Sequence, residues 1–191
     1  MKGTIYSVDF RRKRKGLTDY RKRIRILSSK SPRLVIRKSL RSIQASIVDY
    51  SSKGDIVKVC AHSSRLKGLG WDYSLSNLPA AYLVGYLLGK KAKKAKLDKA
   101  IADIGLHKSV KGSKIYAVVA GAVDAGLEIP HKKEILPSKE RILGAHIMKY
   151  AEMLKKSGSQ PNFGGYVKNN VDPAIIGKKV EEVKGRIDKD G

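Results

Sequence analysis

The fold of this protein follows from residues 32–62, which read PRLVIRKSLRSIQASIVDYSSKGDIVKVCAH. The apolar run at residues 34–36 and the alternation at residues 43–48 predict two strands, which a short turn pairs in antiparallel fashion. A second turn, rich in serine and containing Gly54, leads into a third predicted strand at residues 56–61. The stretch therefore predicts a three-stranded antiparallel meander.

The hydrophobic period changes to that of a helix after this meander. Asn77 is suited to cap a helix that has Pro79 in its first turn. Residues 100–104 form a short apolar run that predicts a fourth strand. A second helix is predicted from the cap residue Ser113 to Gly126, because glycine is typical of the position after a helix end.

Two further helices are predicted in the last third of the chain. Ser138 precedes one helix whose apolar residues continue to Leu154, and residues 157–165 predict a linker. Asp172 and Pro173 begin the final helix. Its apolar stripe consists of Ile176, Val180, Val183 and Ile187. We expect this amphipathic helix to dock on the body of the protein or on a neighbouring protein.

These patterns together predict an α/β fold, in which helices pack on a mixed sheet that starts with the three-stranded antiparallel meander. The predicted organisation is a basic arm at residues 1–31, an α/β body at residues 32–154, and a linker with a C-terminal amphipathic helix at residues 155–191. A chain of 191 residues, of which 41% are hydrophobic, is long enough for one such domain with appendages.

Cys60 is the only cysteine, which excludes an internal disulfide and favours a reducing compartment. The chain has no apolar run of about eighteen residues and no apolar segment of signal-peptide type at its amino terminus. We therefore expect a soluble cytoplasmic protein with no membrane partner.

Positive charge is concentrated at the amino terminus. The chain has a net charge of +24, and residues 1–41 contain fifteen lysines and arginines but only two acidic residues. This imbalance predicts a polyanion as partner. Neutralising roughly eight phosphates gives a slope of log K against log salt of about −6 to −7. A solvated, disordered tail is the alternative interpretation of such a run.

A second basic cluster lies at the end of the first predicted helix, where lysines also complement the helix dipole. Its members are Lys90, Lys91, Lys93, Lys94, Lys96 and Lys99. The pattern fits a solvated helix face at least as well as a contact with RNA.

Residues for catalysis are sparse. The four histidines are scattered without the spacing of a metal site, no phosphate-binding glycine loop follows a strand, and Cys60 is predicted to be a buried structural residue. Asp49 and Asp55 flank one turn. Because of these two carboxylates, a metal-dependent nuclease remains an alternative function. The basic charge leaves a nonspecific DNA-compacting protein as a further alternative. We expect no enzyme activity, cofactor, metal or small-molecule substrate.

Several strings resemble one known family. They are RRKRKGLTDYRKRIRILSS at 11–29, PRLVIRKS at 32–39, AHSS at 61–64, GSKIYAV at 112–118, GAVDAGLEIPH at 121–131 and GAHI at 144–147. The chain resembles, over about residues 5–154, the archaeal and eukaryotic form of the large-subunit ribosomal protein numbered eighteen. The resemblance implies a ribonuclease-H-like topology without catalytic activity, and a ribosomal location in the cytoplasm.

The resemblance also implies partners: 5S rRNA, the large-subunit rRNA to which the family fixes it in the central protuberance, and neighbouring large-subunit ribosomal proteins. The implied RNA contacts lie on the arm and on the first hairpin. They are Arg11, Arg12, Lys13, Arg14, Lys15, Thr18, Asp19, Tyr20, Arg21, Lys22, Arg23, Arg25, Arg37, Lys38, Ser39 and Arg41. The sequence departs from the family pattern after Ser39, where Leu40, Arg41 and Ser42 follow. We expect the arm to become ordered along the RNA.

Overall fold

The computed structural model describes residues 7–157, 163–169 and 171–190 of the chain. Within these ranges the strands form one mixed sheet with the order β3-β2-β1-β4. They are β1 (Arg33–Lys38), β2 (Ile43–Asp49), β3 (Ile56–His62) and β4 (Ile101–Asp103). The first three pair as an antiparallel meander, and β4 runs parallel to β1. The predicted α/β class, the meander and the fourth strand are therefore confirmed.

Helices cover the sheet and extend beyond it. In chain order they are α1 (Arg11–Arg14), α2 (Tyr20–Leu27), α3 (Arg65–Gly68), α4 (Leu78–Lys94), α5 (Lys114–Asp124), α6 (Lys139–Ile142), α7 (Ala145–Ser157), α8 (Gly164–Lys168) and α9 (Ile176–Asp190). Short 3₁₀ turns lie at Lys133–Ile135 and Pro173–Ile175. Among the described helices, none combines the length and the apolar character that a membrane crossing requires.

The core lies between the sheet and the packed helices α4 and α5. The face of the sheet towards the helices carries apolar residues such as Leu34, Ile36 and Ile47, all fully buried. Helix α4 begins where the Asn77 side chain accepts a hydrogen bond from the Ala80 backbone N–H at 2.8 Å, as the sequence predicts. From Leu78 to Gly89 every residue of α4 is buried, so this helix is enclosed on all sides.

Glycine determines how closely α4 and α5 approach. A Cβ atom on Gly85 would lie 2.0 Å from the carbonyl oxygen of Val118, and one on Gly121 would lie 2.1 Å from that of Tyr82. Any side chain at either position collides with the backbone of the other helix. The two glycines therefore permit the closest contact between the helices.

The prediction of a single helix from Ser138 to Leu154 is wrong in one respect. The chain forms two helices, α6 and α7, separated at Gly144, whose φ angle is +83°. This left-handed conformation ends α6, and a Cβ on Gly144 would lie 2.9 Å from Cγ2 of Ile176. The break turns the chain so that α7 starts beside the C-terminal helix.

The C-terminal helix packs on the body. Its predicted stripe, Ile176, Val180, Val183 and Ile187, is fully buried, and α9 lies against α4. The Tyr86 hydroxyl donates a 2.7 Å hydrogen bond to Asp188, and the Tyr73 hydroxyl donates one of 2.7 Å to the Asp172 carbonyl. Part of the predicted linker, residues 158–162, lies outside the described residues. Gly164 and Gly165, also predicted as linker, instead begin helix α8.

The other face of the sheet is less exposed than its alternating sequence predicts. Ser46 and Val48 point away from the helix layer yet are buried, so β2 is covered on both faces over part of its length. Cys60, predicted to be buried, is exposed. It lies on β3, an edge strand, with its side chain on the outer face beside Gln44.

Candidate nucleic-acid interface

The first part of the interface is the short helix α1 with the residues around it. Arg11, Arg12, Lys13, Arg14 and Lys15 are all exposed. Two of them also make local contacts. Arg12 Nε donates a 2.8 Å hydrogen bond to Oγ1 of Thr18, and Lys13 Nζ lies 2.7 Å from Asp9. The residues predicted from the densest basic run therefore form a cationic surface open to solvent.

Helix α2 is attached to the body. Asp19 caps it by accepting a hydrogen bond from the Lys22 backbone N–H at 3.1 Å. The Lys22 ammonium donates to the Gly105 carbonyl at 2.9 Å, and Arg23 contacts both carboxylate oxygens of Asp55 at 2.9 Å. Two body segments therefore supply partners for the side chains of α2, and the ordering of the arm along RNA stays a prediction.

The outward side of α2 remains available. Arg21 and Arg25 are exposed, while the Tyr20 ring at the start of α2 lies 5.2 Å from the ring of Phe10, which precedes α1. Thus Arg21 and Arg25 extend the cationic surface, whereas Thr18, Asp19, Tyr20, Lys22 and Arg23 hold the arm in shape or against the sheet. The sequence does not distinguish the outward Arg21 and Arg25 from the anchoring Lys22 and Arg23, because all four side chains are cationic.

Beneath α2 lies a network of ion pairs centred on Arg33. This side chain is 2% exposed and lies on the outer face of β1. Its Nη2 atom is 2.7 Å from Oδ2 of Asp55, and Nη1 is 3.0 Å from Oδ2 of Asp103. Burial alone raises the pKa of Asp55, but the guanidinium groups of Arg33 and Arg23 outweigh it and hold that pKa below its ordinary value of 3.8. Asp55 is therefore a charged anchor for both the arm and the sheet.

The first hairpin supplies the remaining predicted residues. Arg37 reaches towards β4, where Nη1 donates to the Asp103 carbonyl at 2.9 Å. Ser39 closes the turn through hydrogen bonds with Ser42, including one of 2.8 Å between the hydroxyls. Lys38 and Arg41 are exposed, and Leu40 at the tip is 89% exposed. The hairpin therefore presents two open cations beside an apolar tip, and Ser39 has a structural role in the turn.

The arm and the hairpin border one cleft of about 240 Å³. Arg12 and Arg23 line it from the arm, Arg37 lines it from the hairpin, and His107 lines it from the loop that follows β4. The structure thus brings together two sets of predicted residues that are separate in the sequence. A shared cleft makes them one surface.

The loop after β4 and the start of α5 carry residues near the hairpin that are not among the predicted RNA contacts. Burial, Lys38 and Arg37 lower the pKa of His107, and burial and Lys38 lower the pKa of Lys114. Both groups therefore lie within electrostatic range of the hairpin residue Lys38. The only sequence signal was the string GLHK at 105–108, in which a histidine and a lysine follow a glycine turn.

The second lysine cluster does not line this cleft. Several of its members contact protein groups: for example, Lys90 lies 2.6 Å from Asp188, Lys91 donates to the Cys60 carbonyl at 3.3 Å, and Lys99 lies 3.2 Å from Glu128. These contacts favour a structural role for the lysine cluster over a role as a continuation of the cationic surface of the arm.

The two carboxylates considered for a nuclease are engaged by cations. Asp49 lies 3.6 Å from Lys58, and Asp55 pairs with Arg23 and Arg33. In the part of the chain that the structure describes, no three side chains of histidine, cysteine, aspartate or glutamate are grouped as a metal site. A carboxylate beside two arginines suits an ion pair better than a divalent cation.

Comparisons with known proteins agree with the resemblance in the sequence. Residues 4–102 and 92–132 match the family described as ribosomal large subunit proteins 60S L5 and 50S L18. The protein named large ribosomal subunit protein uL18 of Korarchaeum cryptofilum (strain OPF8) is 46% identical over 183 residues, which cover 95% of this chain and 94% of that relative. The match includes the arm, the sheet and the C-terminal region. On this evidence the chain belongs to the uL18 family of structural proteins of the large ribosomal subunit.

Proposed function

We propose that this protein binds 5S rRNA and fixes it to the large rRNA in the central protuberance of the ribosome. The observation that carries the proposal is the attachment of a cationic arm to the outer face of the sheet, next to the first hairpin. Lys22 and Arg23 hold α2 in place, so the exposed cations of the arm are presented in a defined arrangement. Membership of a ribosomal family supports RNA as the polyanion.

The proposed mechanism combines charge neutralisation with recognition of RNA shape. Arginines on the arm can make bidentate contacts with phosphates and stack on unpaired bases, which lysine ammonium groups do less well. Phosphate contacts give affinity and orientation, while unpaired bases and the geometry of the folded RNA give specificity. Arg11, Arg14, Arg21 and Arg25 are the arm residues we expect to contact phosphate, because all four are exposed.

The test compares the full chain with a variant in which these four arginines are replaced by glutamine. Affinity is measured for a 5S rRNA transcript, a shuffled RNA of equal length and a duplex DNA, each at several salt concentrations. We expect tightest binding to 5S rRNA, with a slope of log K against log salt of about −6 to −7. The variant is expected to bind at least tenfold more weakly, with a slope smaller by about 3 to 4.

A matched control replaces four exposed lysines outside the interface, Lys132, Lys133, Lys139 and Lys178, by glutamine. It removes the same net charge and is expected to retain most of the affinity. Equal binding to 5S and shuffled RNA, or equal losses in the two variants, contradicts the proposal. Tighter binding to duplex DNA indicates a DNA-compacting protein instead, and magnesium-dependent cleavage of the RNA indicates a nuclease.

A further inference from the structure

The cleft between the arm and the sheet has a lining of two kinds. Leu17 and Ile26 from the arm and Leu106 from the loop after β4 provide apolar surface, whereas Arg12 and Arg37 provide cations and His107 provides an imidazole ring. Its volume of about 240 Å³ is below that of ordinary drug-sized sites, so it has room for one flat ring system and none for an RNA helix. An aromatic ligand that carries negative charge matches this combination.

The carboxylates at the cleft do not oppose such a ligand. Asp19 is occupied in capping α2, where it accepts a hydrogen bond from the Lys22 backbone N–H. Asp103 contacts Arg33 and Arg37 and accepts a 2.9 Å hydrogen bond from the Gly105 backbone N–H. The charge of Asp103 is therefore balanced by two guanidinium groups of the protein, and Asp19 is directed to the amino end of α2.

The cleft residue His107 lies within electrostatic range of Lys38 and Arg37, and Lys38 lies within range of Lys114. Burial and the charges of Lys38 and Arg37 lower the pKa of His107, and burial and the charge of Lys38 lower that of Lys114. A phosphate placed among these groups relieves the repulsion and favours their protonated forms. The apolar part of the cleft and its cationic rim are thus arranged as the base and the phosphate of a nucleotide require.

We propose that this cleft receives one unpaired nucleotide from the bound RNA, with its base against Leu17, Ile26 and Leu106 and its phosphate near Lys38 and His107. Unpaired bases are the parts of RNA that proteins read most specifically, and arginine planes such as that of Arg12 stack on them. The inference rests on the proposed RNA-binding function and adds the subsite. It assigns specificity to the junction of the arm and the body, and general affinity to the exposed arm.

The test begins with ultraviolet crosslinking of the full chain to a mixture of 5S and large rRNAs. The crosslinked peptides are identified by mass spectrometry and the crosslinked nucleotides by primer extension. We expect an adduct on the tryptic peptide 100–108, which contains Leu106 and His107. The RNA is expected to be joined there through a nucleotide that is unpaired in its secondary structure.

Two variants with matched chemistry then probe the cleft. Leu106 lines it and is 57% exposed, and Val110 lies in the same loop, away from the cleft, and is 56% exposed. Leu106→Glu and Val110→Glu add the same charge to the same loop at sites that do not contribute to the core. We expect Leu106→Glu to weaken binding of the crosslinked RNA about tenfold more than Val110→Glu does. In chemical probing of the complexes, the crosslinked base should be protected by the wild type and by Val110→Glu. It should become reactive again in the complex with Leu106→Glu.

The outcomes distinguish a failure of the 5S rRNA assignment from a failure of the cleft proposal. An adduct on peptide 100–108 with the large rRNA, together with equal affinities for 5S and shuffled RNA, contradicts the 5S assignment and supports the cleft. Binding of 5S rRNA without this adduct, or with equal affinities for the two variants, overturns the cleft proposal and leaves the 5S assignment intact. Displacement of the RNA by micromolar free AMP indicates a small-molecule site, and also overturns it.

Discussion

Arg33 and Asp103 form a buried ion pair between the parallel strands β1 and β4, with Nη1 of Arg33 3.0 Å from Oδ2 of Asp103. The pair lies on the outer face of the sheet, beneath the arm. Arg33 also contacts Asp55, which binds Arg23 of α2. One guanidinium group therefore connects the fourth strand, the turn before β3 and the helix of the arm.

Replacing Arg33 by methionine is expected to destabilise the protein by about 3 kcal/mol, because it leaves two carboxylates without their shared buried partner. The midpoint of urea unfolding measures the change. Arg41→Met removes an exposed arginine from the neighbouring hairpin and should alter stability by no more than about 0.5 kcal/mol. Equal midpoints for the two variants contradict a central role for Arg33.

Stability should depend on pH through Asp55. Because the folded-state pKa of this carboxyl is below its ordinary value of 3.8, the unfolded chain takes up its proton first as the pH falls. The stabilisation is therefore fully present well above pH 3.8 and is lost as the pH falls through the folded-state pKa. Urea midpoints of the wild type and Asp55→Asn, measured from pH 6 to pH 2.5, should differ most at pH 6 and converge at the acid end. If the two urea midpoints differ by the same amount at every pH in this range, the ion pairs of Asp55 are not the origin of the difference.

Gly85→Ala is expected to cost roughly 1 to 3 kcal/mol, because the new methyl group meets the Val118 carbonyl at 2.0 Å and the helices must separate. Gly185→Ala is the matched control. Gly185 is exposed in α9, and a Cβ there has no neighbour within 4 Å, so alanine should stabilise that helix by roughly 0.5 to 1 kcal/mol. Opposite signs of the two changes in thermal unfolding test the close packing of α4 and α5.

The hairpin should contribute to RNA affinity independently of the arm. Replacing Lys38 and Arg41 by glutamine is expected to reduce the slope of log K against log salt for 5S rRNA by about 2. Affinity should fall at least severalfold at moderate salt. Lys178→Gln with Lys189→Gln removes the same charge from α9 and should leave the slope nearly unchanged. A hairpin variant that retains the wild-type slope places these two cations outside the interface.

The sequence predicts most of the fold because the elements carry local signals. Alternation at residues 43–48 indicates a half-buried strand, and Asn77 with Pro79 marks the start of α4. The sequence does not predict the break at Gly144, since an apolar stripe runs through it, and both the positive φ and the close approach of Ile176 belong to the folded chain. The burial of Val48 and the exposure of Cys60 depend on which strand is central and which lies at the edge.

The sequence by itself determined the order of the elements, the basic character of the arm and the family, because periodicity, capping residues and charge are properties of neighbouring positions in the chain. Only the tertiary structure decided which basic residues anchor the arm and which face outward. It also brought Arg12 of the arm, Arg37 of the hairpin and His107 of a distant loop to one cleft. Such contacts join residues far apart in the chain, and their energies depend on distance, burial and charge in three dimensions.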